Sequence, residues 1–300
     1  MGIMQILLTG GTGFIGSYLI DALQKRGDKV VVVTRNPERR PPDGVRYVGW
    51  DDDLAEVVSE CDAIINLAGS NLFDERWTDS VRETILKSRI NATSTIVNAI
   101  REAKTKPKVL ISGSAIGYYG TRGSDKLDES QPPGSDFLAK VCLAWETEAN
   151  KLDVDNVRLV IARTGIVQQK DDGALSKMLL PFKLYGGGPL GDGQQYYPWI
   201  HMHDMVQALL YMIDNETISG PVNITSPNPV TMDDFASVLG KVMSRPSWFR
   251  VPEFLLKIAV GDSANSITSS YRVIPKKLVD SGYKFRFPGL EGALRDILEE

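Results

Sequence analysis

The chain has 300 residues, of which 42% are hydrophobic and 24% are charged, and its formal net charge is −4. These values predict one large α/β domain, or one domain with a smaller appendage. The sequence shows no basic stripe of the kind that binds nucleic acid, and no apolar run is long enough to span a membrane. The N-terminus has no signal-peptide pattern, and Cys61 and Cys142 have neither zinc nor disulfide spacing, so we expect a cytoplasmic protein with reduced thiols.

Short apolar runs alternate with helical stretches through the first half of the chain. Continuous apolar runs of this length indicate strands that are buried on both faces of a parallel sheet. The predicted strands are 6–8, 30–33, 63–67, 109–111 and 158–162, and the predicted helices are 17–26, 81–103 and 137–152. This alternation predicts an α/β fold with a doubly wound parallel sheet and right-handed crossovers.

The pattern changes after residue 165. Residues 173–199 are rich in glycine and aromatic residues, and we interpret them as loop and short elements over a pocket. A helix over 203–215 and a strand over 221–224 are predicted to return to the core, and the chain from 227 onward has a helical pattern broken by prolines. The predicted division is a nucleotide-binding domain of 1–170 plus 200–225 and a smaller substrate lobe of 171–199 plus 226–300.

A glycine-rich segment lies between the first predicted strand and the helix that follows it. Glycines at 10, 13 and 16 respectively permit a tight turn, a close approach of the backbone to a pyrophosphate, and close packing of helix on strand. The helix N-terminus then presents free N–H groups to the phosphates. At the first strand–helix junction this spacing indicates a dinucleotide-binding Rossmann domain. The residues assigned to the cofactor here are Gly10, Gly11, Thr12, Gly13, Phe14, Ile15 and Gly16.

Arg35 follows the second predicted strand, 29–34. A site that selects NAD usually has Asp or Glu at this point, bonded to the ribose 2′-hydroxyl. The planar guanidinium of an arginine suits a 2′-phosphate instead, and Arg39 and Arg40 add charge nearby. We therefore predict NADP(H) as the cofactor, with an ordinary surface arginine at a strand end as the alternative.

Several segments together resemble the extended short-chain dehydrogenase/reductase superfamily, and within it the NAD-dependent epimerase/dehydratase group. The segments that carry this resemblance are 9–16, 66–69, 112–114, 118–120, 189–193 and 199–204. The stretch 221–298 is similar to a small domain of unknown function found in a subgroup of epimerase family proteins. The resemblance implies an NADP(H)-dependent oxidoreductase or epimerase acting on a sugar-nucleotide-like or small carbonyl substrate, and it implies a homodimer formed through the long helices.

The resemblance also implies roles for individual residues. Beyond the glycine loop, the residues implied to line the cofactor are Trp50, Asp51, Leu67, Ala68, Gly69 and Arg163. Those implied to touch the substrate are Tyr119, Trp199 and His201. Asn91 would support the active site and Ser114 would hydrogen-bond the substrate oxygen; the alternatives are a capping or solvent-facing Asn and an ordinary turn Ser. Ser114 is favoured as functional because such folds bind ligands at the carboxyl ends of their strands.

The acid/base pair of the resembled family is a tyrosine with a lysine four residues later, and this sequence lacks it. The possible registers put Asp136 with Lys140, Phe137 with Val141, or Leu138 with Cys142 in the two positions. Tyr118, four residues before Arg122 in the loop after Ser114, is the closest substitute, so Tyr118 and Lys140 are our catalytic candidates. A protein without the pair either uses another acid, or reacts slowly, or binds NADP(H) as a sensor without catalysis.

Two further groups of charged or titratable residues could in principle bind a metal ion or an anion. His201, His203 and Asp204 lie close in sequence, but a metal usually needs three or four protein ligands and no further cluster accompanies them, so we expect no metal site. Arg76 and residues 87–89 form either a basic rim for an anionic substrate or an ordinary exposed helix face.

Overall fold

A computed structural model describes residues 2–299 of the chain. The strands are β1 Gln5–Thr9, β2 Lys29–Thr34, β3 Val45–Gly49, β4 Ala63–Asn66, β5 Val109–Ala115, β6 Lys126–Leu127, β7 Arg158–Thr164, β8 Ile166–Gln168, β9 Tyr196–Tyr197, β10 Trp199–His201, β11 Gly220–Ile224, β12 Val230–Thr231 and β13 Arg272–Val273. The helices are α1 Phe14–Arg26, α2 Leu54–Ser59, α3 Asp79–Glu102, α4 Phe137–Ala149, α5 Gly173–Lys183, α6 Met202–Asp214, α7 Met232–Met243, α8 Glu253–Val260, α9 Ala264–Thr268, α10 Lys276–Asp280 and α11 Leu290–Glu299.

Seven of the strands form one parallel sheet in the order β11-β7-β5-β4-β1-β2-β3. The order runs outward in opposite directions from the pair β1 and β4, which is the topology of a doubly wound sheet. All carboxyl ends therefore meet at one edge, and Thr9 pairs with Asn66 while Ser114 pairs with Arg163. The predicted doubly wound Rossmann sheet is confirmed, and its switch point between β1 and β4 is where such folds bind ligands.

The two faces of the sheet are covered by different helices. Ile6 and Leu8 of β1 belong to a core cluster with α1 and α6, whereas Leu7 belongs to a second cluster with α2 and α3. Successive side chains of a strand point to opposite faces, so a strand buried on both sides must be apolar throughout. This is the physical reason that the short apolar runs predict the strands.

The interpretation of residues 173–199 as loop and short elements was wrong in part, because α5 is an 11-residue helix. Asp172 caps it by accepting a hydrogen bond from the Gly173 amide. Its buried residues, Leu175, Met178, Leu179 and Phe182, follow helical spacing. A glycine at its start and a proline inside it obscured that spacing in the sequence.

The C-terminal part of the chain packs in a cluster of its own and is hydrogen-bonded to the sheet domain. α5, α7 and α11 share this third apolar cluster, and β13 pairs with β6. The Asp204 carboxylate at the start of α6 accepts hydrogen bonds from the amides of Arg286 and Phe287, at 2.8 and 2.9 Å. Within residues 2–299, no helix has both the length and the apolar character required to cross a membrane.

Candidate functional site

The glycine loop folds tightly against the segment that follows β4. Gly10 has a φ of +70°, and a Cβ at this position would lie 2.9 Å from the carbonyl carbon of Leu67. A Cβ on Gly16 would overlap the carbonyl oxygen of Gly10. Only glycine fits at these two positions, so the backbone of the loop forms the bottom of a shallow cradle at the switch point.

The N-terminus of α1 faces this cradle without a side-chain cap. Gly13 is the N-cap residue, and within residues 2–299 no side chain caps the amides of the first turn, which also holds no acidic residue. The first amides of a helix have no partner inside the helix, so those of Phe14, Ile15 and Gly16 are available to a ligand. Together with the helix dipole, they form a site for an anion such as a pyrophosphate.

The ends of β2 and β3 form the side of the cradle where an adenosine would lie. Arg35 follows β2 and is exposed, while Trp50 and Asp51 follow β3 as a half-buried and an exposed residue. The strands are paired through Thr34 and Gly49, so these three residues lie at one edge. The residue directly after β2 is Arg35 rather than an acidic residue, and an exposed arginine there can accommodate a 2′-phosphate.

A buried polar chain holds the loop after β4 in place. The Thr9 hydroxyl donates to Asn66 Oδ1 at 2.6 Å and accepts from the Ala68 amide at 3.1 Å. Asn66 Nδ2 and Trp145 Nε1 both donate to the Thr93 hydroxyl, each at 2.9 Å. These contacts position residues 67–69 opposite the glycine loop. Thr93 was not predicted as part of the site, although a buried hydroxyl on an apolar helix face must find a hydrogen-bond partner.

Asn91 lies on the same helix as Thr93 but on its exposed side. α3 turns its Ala92 and Thr93 face toward the sheet, and Asn91 makes no side-chain contact with the polar chain described above. Thr93, rather than Asn91, therefore makes the hydrogen bonds that join α3 to the loop after β4.

Ser114, Glu146 and Arg163 form a buried cluster at the carboxyl ends of β5 and β7. The Ser114 hydroxyl donates to Glu146 Oε1 at 2.6 Å. Arg163 donates from Nε and Nη2 to the two oxygens of the same carboxylate, each at 2.8 Å. Arg163 is only 2% exposed, so it is part of the framework beneath the site rather than an open contact for a cofactor.

Tyr118 and Tyr119 have different environments although they are adjacent. Tyr118 is half-buried, and its ring centroid lies 3.5 Å from the Arg163 guanidinium carbon. Tyr119 is fully buried, and its hydroxyl donates to Asn223 Oδ1 at 2.7 Å and accepts from Arg163 at 3.0 Å. Burial raises the pKa of Tyr119 to about 12. Tyr119 is therefore a core residue, whereas the Tyr118 hydroxyl makes no hydrogen bond within residues 2–299 and its ring lies on Arg163, the strand partner of Ser114.

Trp199 and His201, assigned to the substrate from the sequence, both lie in the protein interior. Trp199 belongs to the third apolar cluster. His201 caps α6 by accepting a hydrogen bond from the His203 amide through Nδ1, and its ring packs 4.0 Å from that of Phe287. Burial lowers the pKa of His201 to about 4, so the ring is neutral at pH 7. Residues 2–299 hold no group of His, Cys, Asp and Glu side chains that could bind a metal.

Residues 6–225 match the model of the NAD dependent epimerase/dehydratase family. The chain belongs to this family. Residues 251–297 match a second model, a domain of unknown function named DUF1731. The family match covers the whole sheet domain, including the glycine loop and the cluster around Ser114.

Relatives that align with nearly the whole of this chain occur in distant organisms. The epimerase family protein YfhF of Bacillus subtilis is 39% identical over 301 residues, which is 99% of both chains. A chloroplastic epimerase family protein of Arabidopsis thaliana, a homologue of SDR39U1, is 37% identical over 99% of this chain and 87% of its own. The human epimerase family protein SDR39U1, whose crystal structure was solved with NADPH, superposes with a TM-score of 0.92 at 33% identity, over 99% of this chain and 100% of that one.

The structure resolves which α4 residues face the end of β5. A Cβ on Gly117 would lie 3.2 Å from the Leu138 Cβ and 3.7 Å from the Cys142 sulfur, so these two residues occupy that face. Burial raises the pKa of Cys142 to about 12, which keeps its thiol protonated. Lys140 is exposed, and Asp136 caps the helix by accepting from the Ala139 amide. This face of α4 therefore carries neither a phenol nor an amine.

Proposed function

We propose that this protein binds NADP(H) and carries out oxidoreductase or epimerase chemistry on a small-molecule substrate. The observation that carries the cofactor assignment is the uncapped N-terminus of α1 above glycines that leave no room for side chains. Backbone amides in this arrangement fit a pyrophosphate. The NADPH in the structure of the human relative supports the same assignment.

The choice of the phosphorylated cofactor rests on the exposed arginine after β2. Arg35 adjoins Trp50 and Asp51, and together they fit an adenosine with a 2′-phosphate. The loop 67–69, fixed by Thr9 and Asn66, lines the same cradle from the other side. Arg163 is not part of this contact, since its donors are used by Glu146 and Tyr119.

The chemistry would take place beside Ser114 and Tyr118. NADP(H), when bound, supplies or accepts the hydride. The Ser114 hydroxyl donates to Glu146, so its oxygen keeps an acceptor position with which it would orient a substrate hydroxyl, although only 4% of the residue is exposed. Tyr118, which lies on the Arg163 guanidinium, is the nearby phenol that would hold or deliver a proton. The substrate lobe would be 171–199 with 226–300, and a sugar-nucleotide-like or small carbonyl compound fits the family.

One observation favours a second candidate function, an NADP(H) sensor without catalysis. The α4 face beside β5 presents Leu138 and a protonated Cys142 rather than an acid/base pair. Cofactor binding does not require that pair, whereas proton transfer does. A sensor would bind NADPH with the same residues and would show no turnover with any carbonyl compound.

A thermal-shift titration with NADPH, NADP⁺, NADH and NAD⁺ tests the proposal. A ligand that binds only the folded chain raises the melting temperature, so we expect a shift with the two phosphorylated cofactors and a smaller one with the others. NADPH oxidation with a panel of aldehydes, ketones and nucleotide sugars then separates the two candidates. The absence of a shift with all four cofactors would refute both.

A further inference from the structure

Arg89 belongs to residues 87–89, for which the sequence left open a basic rim or an exposed helix face. Lys87 of this segment is exposed and paired with Glu83 at 2.6 Å, whereas Arg89 extends toward the edge of the sheet that holds the proposed site. It extends from α3 beneath the loop after β4, where a Cβ on Gly69 would lie 3.1 Å from its guanidinium carbon. The guanidinium carbon lies 5.2 Å from the ring centroid of Trp145. Trp145 in turn packs on β5, since a Cβ on Gly113 would lie 2.8 Å from its Cζ2. The Trp145 indole therefore lies between Arg89 and the end of β5, which carries Ser114.

Among the described residues, the Arg89 guanidinium has no counter-charge and a partner for only one of its nitrogens. Its side chain makes a single hydrogen bond within residues 2–299, from Nη1 to the Ile85 carbonyl oxygen at 2.9 Å, and no carboxylate of that range lies within 4.0 Å. Arg163, by comparison, has both oxygens of Glu146. Arg158 has the carbonyl oxygens of Met212, Ile213 and Ile218.

The Arg89 guanidinium is half-buried against the Trp145 indole and Gly69, and it has therefore lost part of its hydration. Burial lowers the pKa of Arg89, as expected for a charge that has lost solvent. A guanidinium nevertheless remains protonated at neutral pH, so the charge persists and its desolvation has a cost. Nε and Nη2 have no partner among the described residues, and neither is one of the fully enclosed unpaired atoms, so both keep some contact with solvent.

We infer that Arg89 binds a carboxylate or phosphate group of the substrate, which makes the substrate an anion. A guanidinium with adjacent free donors binds such a group through two parallel hydrogen bonds. This inference rests on the proposed function, because it places the anion at the loop 67–69, which lines the proposed cofactor site. Gly69 contributes by leaving room for the guanidinium.

The cofactor also carries anionic groups, and it is the other source of the same chemistry. The uncapped amides of α1 already provide for the pyrophosphate, and Arg35 provides for the 2′-phosphate on the far side of the cradle. We therefore assign the anion at Arg89 to the substrate.

The experiment titrates oxalate, a planar anion that matches the guanidinium, into NADPH-saturated protein while NADPH fluorescence is followed. Arg89→Met keeps an apolar stem on Trp145 and removes the charge, and Arg89→Lys keeps the charge without the paired donors. Lys87→Gln is the matched control, because Lys87 carries the same charge on the same helix but is exposed and paired with Glu83 at 2.6 Å.

We expect oxalate to bind the wild-type protein and the Lys87→Gln variant equally. Arg89→Met should weaken oxalate binding roughly ten- to a hundredfold, with Arg89→Lys in between, because paired charged hydrogen bonds are lost. The NADPH dissociation constant should change less than about twofold in all variants. Equal oxalate binding by the wild type and Arg89→Met, or no binding by either, would overturn the inference.

A tenfold loss of NADPH affinity in Arg89→Met, with no oxalate binding to the wild-type holoprotein, would also overturn it and assign Arg89 to the cofactor. If the wild-type protein does not bind NADPH at all, the proposed function fails on its own. Oxalate binding to the cofactor-free protein and its dependence on Arg89 can then still be measured, so the two failures are distinguishable.

Discussion

Arg163 and Glu146 form a two-point ion pair in the interior, with Nε and Nη2 of the arginine each 2.8 Å from one carboxylate oxygen. The exposed fractions of the two side chains are 3% and 6%. Glu146→Gln should therefore destabilise the fold by roughly 3–5 kcal/mol, because it leaves a buried guanidinium without a counter-charge. Equilibrium denaturation in urea measures the change.

The matched control for this ion pair is Glu253→Gln, which breaks a helix-surface pair with Lys257. Both partners are about half exposed, at 54% and 49%, so the loss should be under about 1 kcal/mol. Equal effects of the two substitutions would show that the buried pair contributes no more than the surface one.

Gly16→Ala should damage both stability and cofactor binding. Its added methyl group would overlap the Gly10 carbonyl oxygen, which is backbone and cannot rotate away. We expect a loss of roughly 1–3 kcal/mol in unfolding free energy and no NADPH-induced thermal shift. Gly289→Ala is the control, since a Cβ there meets nothing within 4 Å. Retention of the full NADPH shift by Gly16→Ala would contradict the assigned role of the loop.

Arg35→Gln should reduce the preference for the phosphorylated cofactor. The lost hydrogen bonds to a charged 2′-phosphate correspond to a roughly ten- to hundredfold weaker NADPH affinity, while NADH affinity stays the same. Fluorescence titration measures both. Lys29→Gln removes an equal exposed charge from the opposite end of β2 and should change neither affinity. A parallel weakening of NADPH and NADH would rule out recognition of the phosphate.

Tyr118→Phe and Tyr119→Phe should separate catalysis from stability. Tyr118→Phe should lower kcat on any substrate found in the panel by roughly 10²–10⁴-fold and leave the melting temperature unchanged. Tyr119→Phe should destabilise the fold by about 1–3 kcal/mol, because it leaves Asn223 Oδ1 without its donor. Turnover by Tyr118→Phe at the wild-type rate would exclude that phenol as the proton donor.

The low pKa of His201 makes stability depend on pH. Burial sets this pKa to about 4 in the folded chain, against an ordinary value of 6.5. Between these values the unfolded chain binds the proton and the folded chain does not, so the unfolding free energy falls as the pH drops, by about 3 kcal/mol. Denaturation curves from pH 7 to pH 4 measure this slope.

His201→Asn keeps an acceptor for the His203 amide but cannot titrate, so it should flatten the slope. His203→Asn should flatten it less, because His203 is less buried and its pKa is lowered to a smaller extent. The reverse order would mean that His201 is not the buried neutral ring described above.

Local patterns predicted the sheet and the glycine loop because both depend on properties of neighbouring residues. A strand covered on both faces must be apolar in sequence, as 30–33 is, and the loop requires glycine at 10 and 16. α5 was missed because Gly173 and Pro181 are rare inside helices and obscured its apolar spacing.

The interior of the site could not be predicted from local patterns. The hydrogen bond between Tyr119 and Asn223 joins residues 104 positions apart. No pattern near Tyr119 in the sequence indicates that its side chain is buried. The position of Glu146 did indicate a buried ion pair, since a carboxylate on the apolar face of a helix needs a buried cation. Its partner Arg163 becomes evident only when β5 and β7 are adjacent.

Residues between 274 and 287 donate hydrogen bonds to acceptors that lie much earlier in the chain. The Leu127 carbonyl oxygen receives the Ile274 amide, and the Asp204 carboxylate receives the amides of Arg286 and Phe287. During synthesis the seventh strand of the sheet, ending at Ile224, leaves the ribosome well before these donors do. A nascent chain paused in between has all seven strands of the main sheet but leaves the Leu127 carbonyl and the Asp204 carboxylate without these donors, a state in which it is exposed to chaperones and proteases. Emergence of residues 274–287, rather than completion of the sheet, therefore sets the earliest point at which these polar groups are paired.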